Sequence, residues 1–233
     1  MNKYKIGLLV AACLSSSLAI ADNKNVTVEI TNLSNALYYT PLLVSAHKGN
    51  THLFQPGTNA SANLQAMAEG GDISGLLADL DAAGASSVAD PAVGFLAPGA
   101  TTTANVIRSK RNRYLSITAM LLPTNDGFVG LDSFVIPKHR GRYTIYLNGY
   151  DAGTEANDEI VNGGGAPGTP GIPADPGGNS GAGAAGVTGA DHNTTVHVHR
   201  GIVGGDYSDL DSAVHRWINP VAKVVITVGQ DDD

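Results

Sequence analysis

Residues 26–31 read Val26-Thr27-Val28-Glu29-Ile30-Thr31, apolar and polar side chains in strict alternation. Period two sends Val26, Val28 and Ile30 to one face of a strand and the polar partners to the other, so this is a strand with one face buried. The pattern returns in Leu115, Ile117, Ala119 and Leu121, in Tyr143, Ile145 and Leu147, and in Val224, Ile226 and Val228. Clusters of Gly, Pro, Asn and Asp separate these runs, and most of the gaps lack the helical spacing that a parallel α/β fold requires. The expectation is an all-β protein, an antiparallel β-sandwich.

Helical spacing is concentrated between Ala60 and Ala83, where Ile73, Leu76, Leu77 and Leu80 form a stripe and Asp72 is placed to cap its start. One or two short helices are expected there, crossing one end of the sandwich. Leu210, Val214 and Trp217 suggest a further short stretch covering an edge. Between Asn162 and Gly189 the chain is almost entirely Gly, Ala, Pro and small polar residues and holds 11 of the 29 glycines. So little apolar surface predicts a mobile surface loop within one domain.

The chain opens Met1-Asn2-Lys3-Tyr4-Lys5, continues as an apolar run from Ile6 to Leu18, and reaches Ala19-Ile20-Ala21. A basic start, a short apolar stretch and a small-x-small site predict a signal peptide over 1–21, cleaved after Ala21, and a domain over 22–233. The single cysteine, Cys13, lies inside this segment. Val10-Ala11-Ala12-Cys13 also resembles the box before a lipid-modified cysteine, but the apolar run continues past it to an ordinary cleavage site. The expectation is export to the periplasm, the cell surface or the medium, without disulfides. No later stretch is long enough to span a membrane. Removing Lys3 and Lys5 from the 14 basic residues leaves 12 against 21 acidic, a formal charge of −9. That balance argues against nucleic acid as a partner and suits divalent cations.

Two runs concentrate oxygen donors: Thr124-Asn125-Asp126-Gly127-Phe128-Val129-Gly130-Leu131-Asp132-Ser133 and Tyr150-Asp151-Ala152-Gly153-Thr154-Glu155-Ala156-Asn157-Asp158-Glu159. Each is a turn carrying carboxylates at the end of an alternating strand. If both strands reach the same end, Asp126, Asp151 and Glu155 converge, and calcium takes six to eight hard oxygens of this kind. The alternative is that these are ordinary turn residues with solvated acids. The spacing of an EF-hand is absent.

The same two runs resemble the spondin N-terminal domain family, in which D-x-F-V-G-x-D-S is followed one hairpin later by D-A-G-T-[DE]. Asn219-Pro220-Val221-Ala222-Lys223-Val224 is similar to the start of that family's last strand. Further matches are Ser45-Ala46-His47, Leu53-Phe54-Gln55-Pro56-Gly57, Ala68-Glu69-Gly70-Gly71-Asp72 and His197-Val198-His199-Arg200-Gly201. The resemblance implies an antiparallel β-sandwich with one calcium ion held by Asp126, Asp151 and Glu155. Glu155 stands where animal members usually carry aspartate. It also implies an extracellular binding or adhesion module, not an enzyme, whose partner is an unidentified protein or glycan.

A rival reading starts from His197 and His199, which flank Val198 and therefore share one face of a strand. Such an H-x-H pair chelates transition metals, and copper-zinc superoxide dismutases carry a similar H-V-H. That enzyme would need further ligands; His192 is nearby in sequence and His215 could supply one, but no histidine follows it, and the mature chain has no cysteine for a structural disulfide. Two histidines at the surface of an edge strand are the plainer explanation. No Gly-x-Ser-x-Gly elbow occurs. The acid pairs Asp79/Asp81 and Asp209/Asp211 lie in short segments without an aromatic platform, expected to be solvated. Trp217 is expected in the core. The sites beginning at Asn25, Asn32, Asn59 and Asn193 fit the glycosylation pattern, which matters only in a host that uses it.

Overall fold

The computed structural model of the chain describes residues 23–178, 180–186 and 194–229. The expected signal peptide and its Cys13, the chain start at Asp22, His192, Asn193 and the acidic Asp231-Asp232-Asp233 lie outside these residues.

In chain order the elements are β1 (Lys24–Asn32), β2 (Tyr38–Tyr39), β3 (Leu43–His47), α1 (Ala62–Gly70), α2 (Ser74–Ala82), β4 (Ser86–Ala89), β5 (Thr101–Arg108), β6 (Tyr114–Leu122), β7 (Gly127–Val135), β8 (Gly141–Asp151), β9 (His197–Val198), α3 (Ser212–His215) and β10 (Ala222–Val228). The all-β antiparallel expectation holds. The arrangement differs from two separate sheets: the strands form one ten-stranded sheet, ordered β4-β3-β6-β7-β8-β10-β1-β5, with β2 beside β6 and β9 beside β8. The joint is β8. Its first part, Gly141–Leu147, pairs with β10, and its last part, Asn148–Asp151, pairs with β7. The path then curls almost into a barrel, since β4 and β5 at its two ends meet where Ser86 Oγ accepts the Ile107 N–H at 2.9 Å.

The alternating residues fill the interior as their period dictates. Val26, Val28, Ile30, Leu115, Ile117, Ala119, Leu121, Leu147, Val224, Ile226 and Val228 belong to one buried cluster. β6 departs from the half-buried pattern, because its other face is covered too. Leu43, Met120, Leu122 and Phe128 join Leu64 and Met67 of α1 and Leu76 and Leu80 of α2 in a second cluster. Ser61 Oγ caps α1 by accepting the Leu64 N–H at 3.1 Å, and Asp72 Oδ1 accepts the Ser74 N–H at 2.9 Å at the start of α2. Two short helices lie in the 60–83 stretch, as expected, and a third lies in the Leu210–Trp217 stretch. The third, α3, stands between buried Leu210 and Trp217.

The Gly/Pro-rich stretch is a loop, but its described part is anchored. Ile172 is fully buried and bridges Val161, with its N–H donating to the Ile160 carbonyl at 2.7 Å. Composition misses this because one large apolar side chain and a few backbone hydrogen bonds suffice to lay the segment against the barrel.

Candidate functional site

Strands β6 and β8 end, and β7 begins, at the same end of the barrel, and Gly127 stands opposite Asp151 in the ladder. This register brings Asp126 beside the loop that follows β8, where the Ala152 N–H donates to the Asp126 carbonyl at 3.2 Å. Gly153 lets the loop turn back. Its φ is 68°, and a Cβ there would lie 2.7 Å from the Thr195 backbone. The turn aims two successive N–H groups, those of Thr154 and Glu155, at Asp126 Oδ2, at 2.8 and 3.1 Å, with the Thr154 hydroxyl at 3.2 Å.

Asp126 is fully buried, and its other oxygen, Oδ1, has no hydrogen-bond partner. Glu155 repeats the arrangement, with Oε1 accepting the Gly171 N–H at 3.1 Å and a buried Oε2 left without a partner. Burial, with the charge of Asp151 second, pushes Asp126 up to about 7. Burial, with contributions from Glu69, Asp126 and Asp158, pushes Glu155 up to about 8. Asp151 differs. Its Oδ1 accepts the Gly153 N–H at 2.8 Å and its Oδ2 the Asn157 amide at 2.7 Å. The three sequence-expected acids thus sit at one end of the barrel, but with unequal demands. Among the described residues, no group of three His, Cys, Asp or Glu side chains is gathered in ligating position.

The donor set still suits a hard cation. Two buried carboxylate oxygens, Asp126 Oδ1 and Glu155 Oε2, lack donors, and oxygen ligands of this kind are what a hard cation takes. Asp126 and Glu155 would hold the ion through these free oxygens, with Asp151 fixing the loop and adding negative potential.

Sequence reasoning missed the residues that support this pair. Asn125 donates to Asp158 Oδ1 at 2.8 Å and accepts the Glu159 N–H at 3.1 Å. Buried Glu159 accepts the N–H groups of Val203 and Gly204 and the Ser208 hydroxyl. Asp209, expected to be solvated, accepts the N–H groups of Val161, Ala182 and Ala184. Only the density of Asn and Asp in the two runs hinted at this network. The second half of the first run has a separate role. Asp132 lies down the strand from Asp126, accepts the Leu53 N–H at 2.8 Å and lies 2.6 Å from His52 Nδ1, fixing the stretch before α1.

The histidine site is not assembled among the described residues. His199 is buried, which corrects the expectation of a surface pair. Its ring centroid lies 4.8 Å from that of Trp217, and its Nδ1 accepts the Gly201 N–H at 2.9 Å. Burial holds it down at about 4, so it is neutral at neutral pH. His197 Nε2 lies 3.7 Å from Asp151 Oδ2, whereas His215 is paired with Asp175.

Comparison with known proteins agrees with the motif reading. The Spondin_N family profile matches residues 31–160, which hold both acidic runs but neither the His197–Gly201 match nor the last strand. Spondin-2 of Homo sapiens is 29% identical over 126 residues, covering 51% of this chain and 38% of that relative. The profile spans more than half of the chain and takes in the Asp126 and Asp151 turns together, so the chain belongs to the spondin N-terminal domain family.

Proposed function

We propose that this chain is an exported, non-catalytic binding or adhesion module whose acidic end is organised by one calcium ion. Membership of the spondin family supports the extracellular, matrix or adhesion type of role and export to the periplasm, cell surface or medium. The single observation that carries the calcium reading is buried Asp126, with Oδ2 satisfied by two backbone N–H groups and Oδ1 unpartnered, while Glu155, whose own N–H is one of those two donors, also has an unpartnered Oε2. A buried carboxylate without a donor is costly, and a cation removes that cost while keeping both acids ionised. Calcium would supply no reaction chemistry. It would neutralise Asp126 and Glu155 and fix the turns around Asp151, leaving a rigid surface for an extracellular protein or glycan partner.

Titration calorimetry of the mature chain tests this. Calcium should bind at one ion per chain, and magnesium more weakly, because it demands tight octahedral geometry. A wild-type protein that neither binds calcium nor gains thermal stability from it leaves the family assignment and removes the metal.

A further inference from the structure

The opposite end of strands β6–β8 carries the opposite charge. Lys24, Arg108, Lys110, Arg113 and Lys138 line a cavity of about 380 Å³, with no carboxylate among them. A neighbouring cavity of about 230 Å³ shares Arg108, Arg113 and Lys138 and adds Tyr114, Val135 and Ile136. The residues come from three places that the fold joins: the start of β1, the end of β5 with the β5–β6 connection that follows it, and the β7–β8 connection.

Arg108 stands at the base. It continues the inward-facing positions of β5 after Thr102, Ala104 and Val106, where the strand's period calls for an apolar side chain. It is 4% exposed, and its Nε is buried without a hydrogen-bond partner. Among the described residues, none of Arg108, Lys110, Arg113 and Lys138 forms an ion pair. A plain solvated patch would keep its cations apart and in water. Here one guanidinium is sunk below three exposed cationic heads, an arrangement that repels itself until an anion enters. The guanidinium fork matches the oxygens of sulfate or phosphate, and the lysines add charge around it. Lys24 Nζ is turned toward the β7–β8 connection by donating to the Lys138 carbonyl at 3.3 Å.

We propose that this cavity is a binding site for a tetrahedral oxyanion, a sulfate or phosphate group, with Arg108 as its central donor. The group enters over Lys110, Arg113 and Lys138 and meets Arg108 at the base. The second cavity, walled by Tyr114, Val135 and Ile136, accepts the ring or chain that carries the group when it is an ester. The site shares no residue with the acidic end and does not depend on calcium.

The test is titration of the mature chain at constant ionic strength, with chloride as the reference anion. The probes are inorganic sulfate, inorganic phosphate and a sulfated disaccharide, each measured with calcium and with chelator. Sulfate or phosphate should bind where chloride does not. Arg108→Met should weaken binding at least tenfold, as should Lys110→Gln combined with Arg113→Gln, whose exposed heads can be neutralised without touching the interior. Arg142→Gln and Lys223→Gln, outside the cavity, should leave it unchanged. Thermal melts without anion check that the variants fold, and Arg108→Met should not lower the melting temperature, since it removes a buried charge. A disaccharide that binds at least tenfold tighter than sulfate, with Tyr114→Ala removing only that excess, assigns the site to sugar esters. Equal affinities assign it to the free oxyanion. No binding beyond chloride, or full binding by folded Arg108→Met and by the double variant, overturns the proposal. Asp126→Asn should retain oxyanion binding, which separates this result from the fate of the calcium reading.

Discussion

The backbone N–H of Glu155 donates to Asp126 Oδ2 at 3.1 Å, while the Glu155 carboxylate is itself pushed up in part by the charge of Asp126. One residue therefore binds the acid through its main chain and repels it through its side chain. The loop holds two like charges together, and the strain ends only when one takes a proton or both share a cation.

Calcium should accordingly raise the melting temperature. Binding to the folded state alone adds RT ln(1 + [L]/Kd), about 2.7 kcal/mol at a hundred times Kd. For a domain of this size that is a rise of roughly 5–10 °C, reversed by chelator. Asp126→Asn should abolish most of the response, with Glu155→Gln acting in the same direction. Asp151→Asn should reduce it as well, partly through the loop it ties to Asn157. Asp81→Asn, on the exposed side of α2, is the control. Equal responses in wild type and Asp126→Asn would show that the ion sits elsewhere.

The pH dependence has a definite sign. Asp126 and Glu155 are raised from 3.8 and 4.5 to about 7 and about 8, so between these limits the calcium-free folded chain holds more protons than the unfolded one. Stability is greatest below the unfolded values and falls as pH rises through the folded ones. Buried His199 acts in the other direction, but only between about 4 and 6.5. Melts from pH 6.5 to 8.5 in chelator should therefore show a falling melting temperature, and saturating calcium should flatten the curve. Calcium affinity should rise over the same range, because the ion displaces protons. A melting temperature that climbs with pH in chelator would contradict both raised values.

Gly130 and Gly153 explain the glycines of the two motifs by contact. A Cβ on Gly130 would come within 2.6 Å of the Phe54 ring, which also packs on Phe128 and Tyr150 at centroid distances of 5.0 and 4.9 Å. Gly130→Ala should cost about 1–3 kcal/mol by overpacking while sparing calcium binding. Gly153→Ala meets backbone at a positive φ and should lose both stability and calcium affinity, since it displaces the N–H groups that hold Asp126. Parallel denaturant and calcium titrations distinguish the two, and a Gly153→Ala protein with normal calcium affinity would refute the loop's role.

Ile172→Ala should destabilise the chain by roughly 2–5 kcal/mol, as for other fully buried aliphatic side chains. Deletion of 163–186 should cost more than loop entropy alone, because it also strips Glu69 and Glu155 of the Gly168 and Gly171 N–H groups. Denaturant melts decide this. An Ile172→Ala protein as stable as wild type would mean that the segment is as loosely held as its composition suggests.

The legible part of the fold was the part written with period two. Val28, Ile30 and Ile117 alternate with polar neighbours, Leu147 and Ile226 keep the same period in their strands, and each lies inside the barrel. The passage of β8 from one partner to another was not legible, because Leu147 and Asn148 alternate across the change without a break. Asp126 and Asp151 were found through their turns. Asn125 and Glu159 were not, since their work lies in hydrogen bonds to groups distant in the sequence, which no local spacing encodes. The cationic cavity was hidden by arithmetic: a net charge of −7 averages over the chain, whereas Arg108 and Lys138 become neighbours only when the strands are laid side by side.

Val26 stands opposite Val228, and Val228 opposite Gly141, so the chain enters β1 and leaves β10 at the pole where β8 begins. Asp151 closes β8 at the other pole, ten residues on, about 30 Å away along an extended strand. Whatever is joined before β1 or after β10 emerges beside Arg108 and Lys138. The Asp126 turn then becomes the far tip, and the barrel serves as a spacer that holds it clear of its point of attachment.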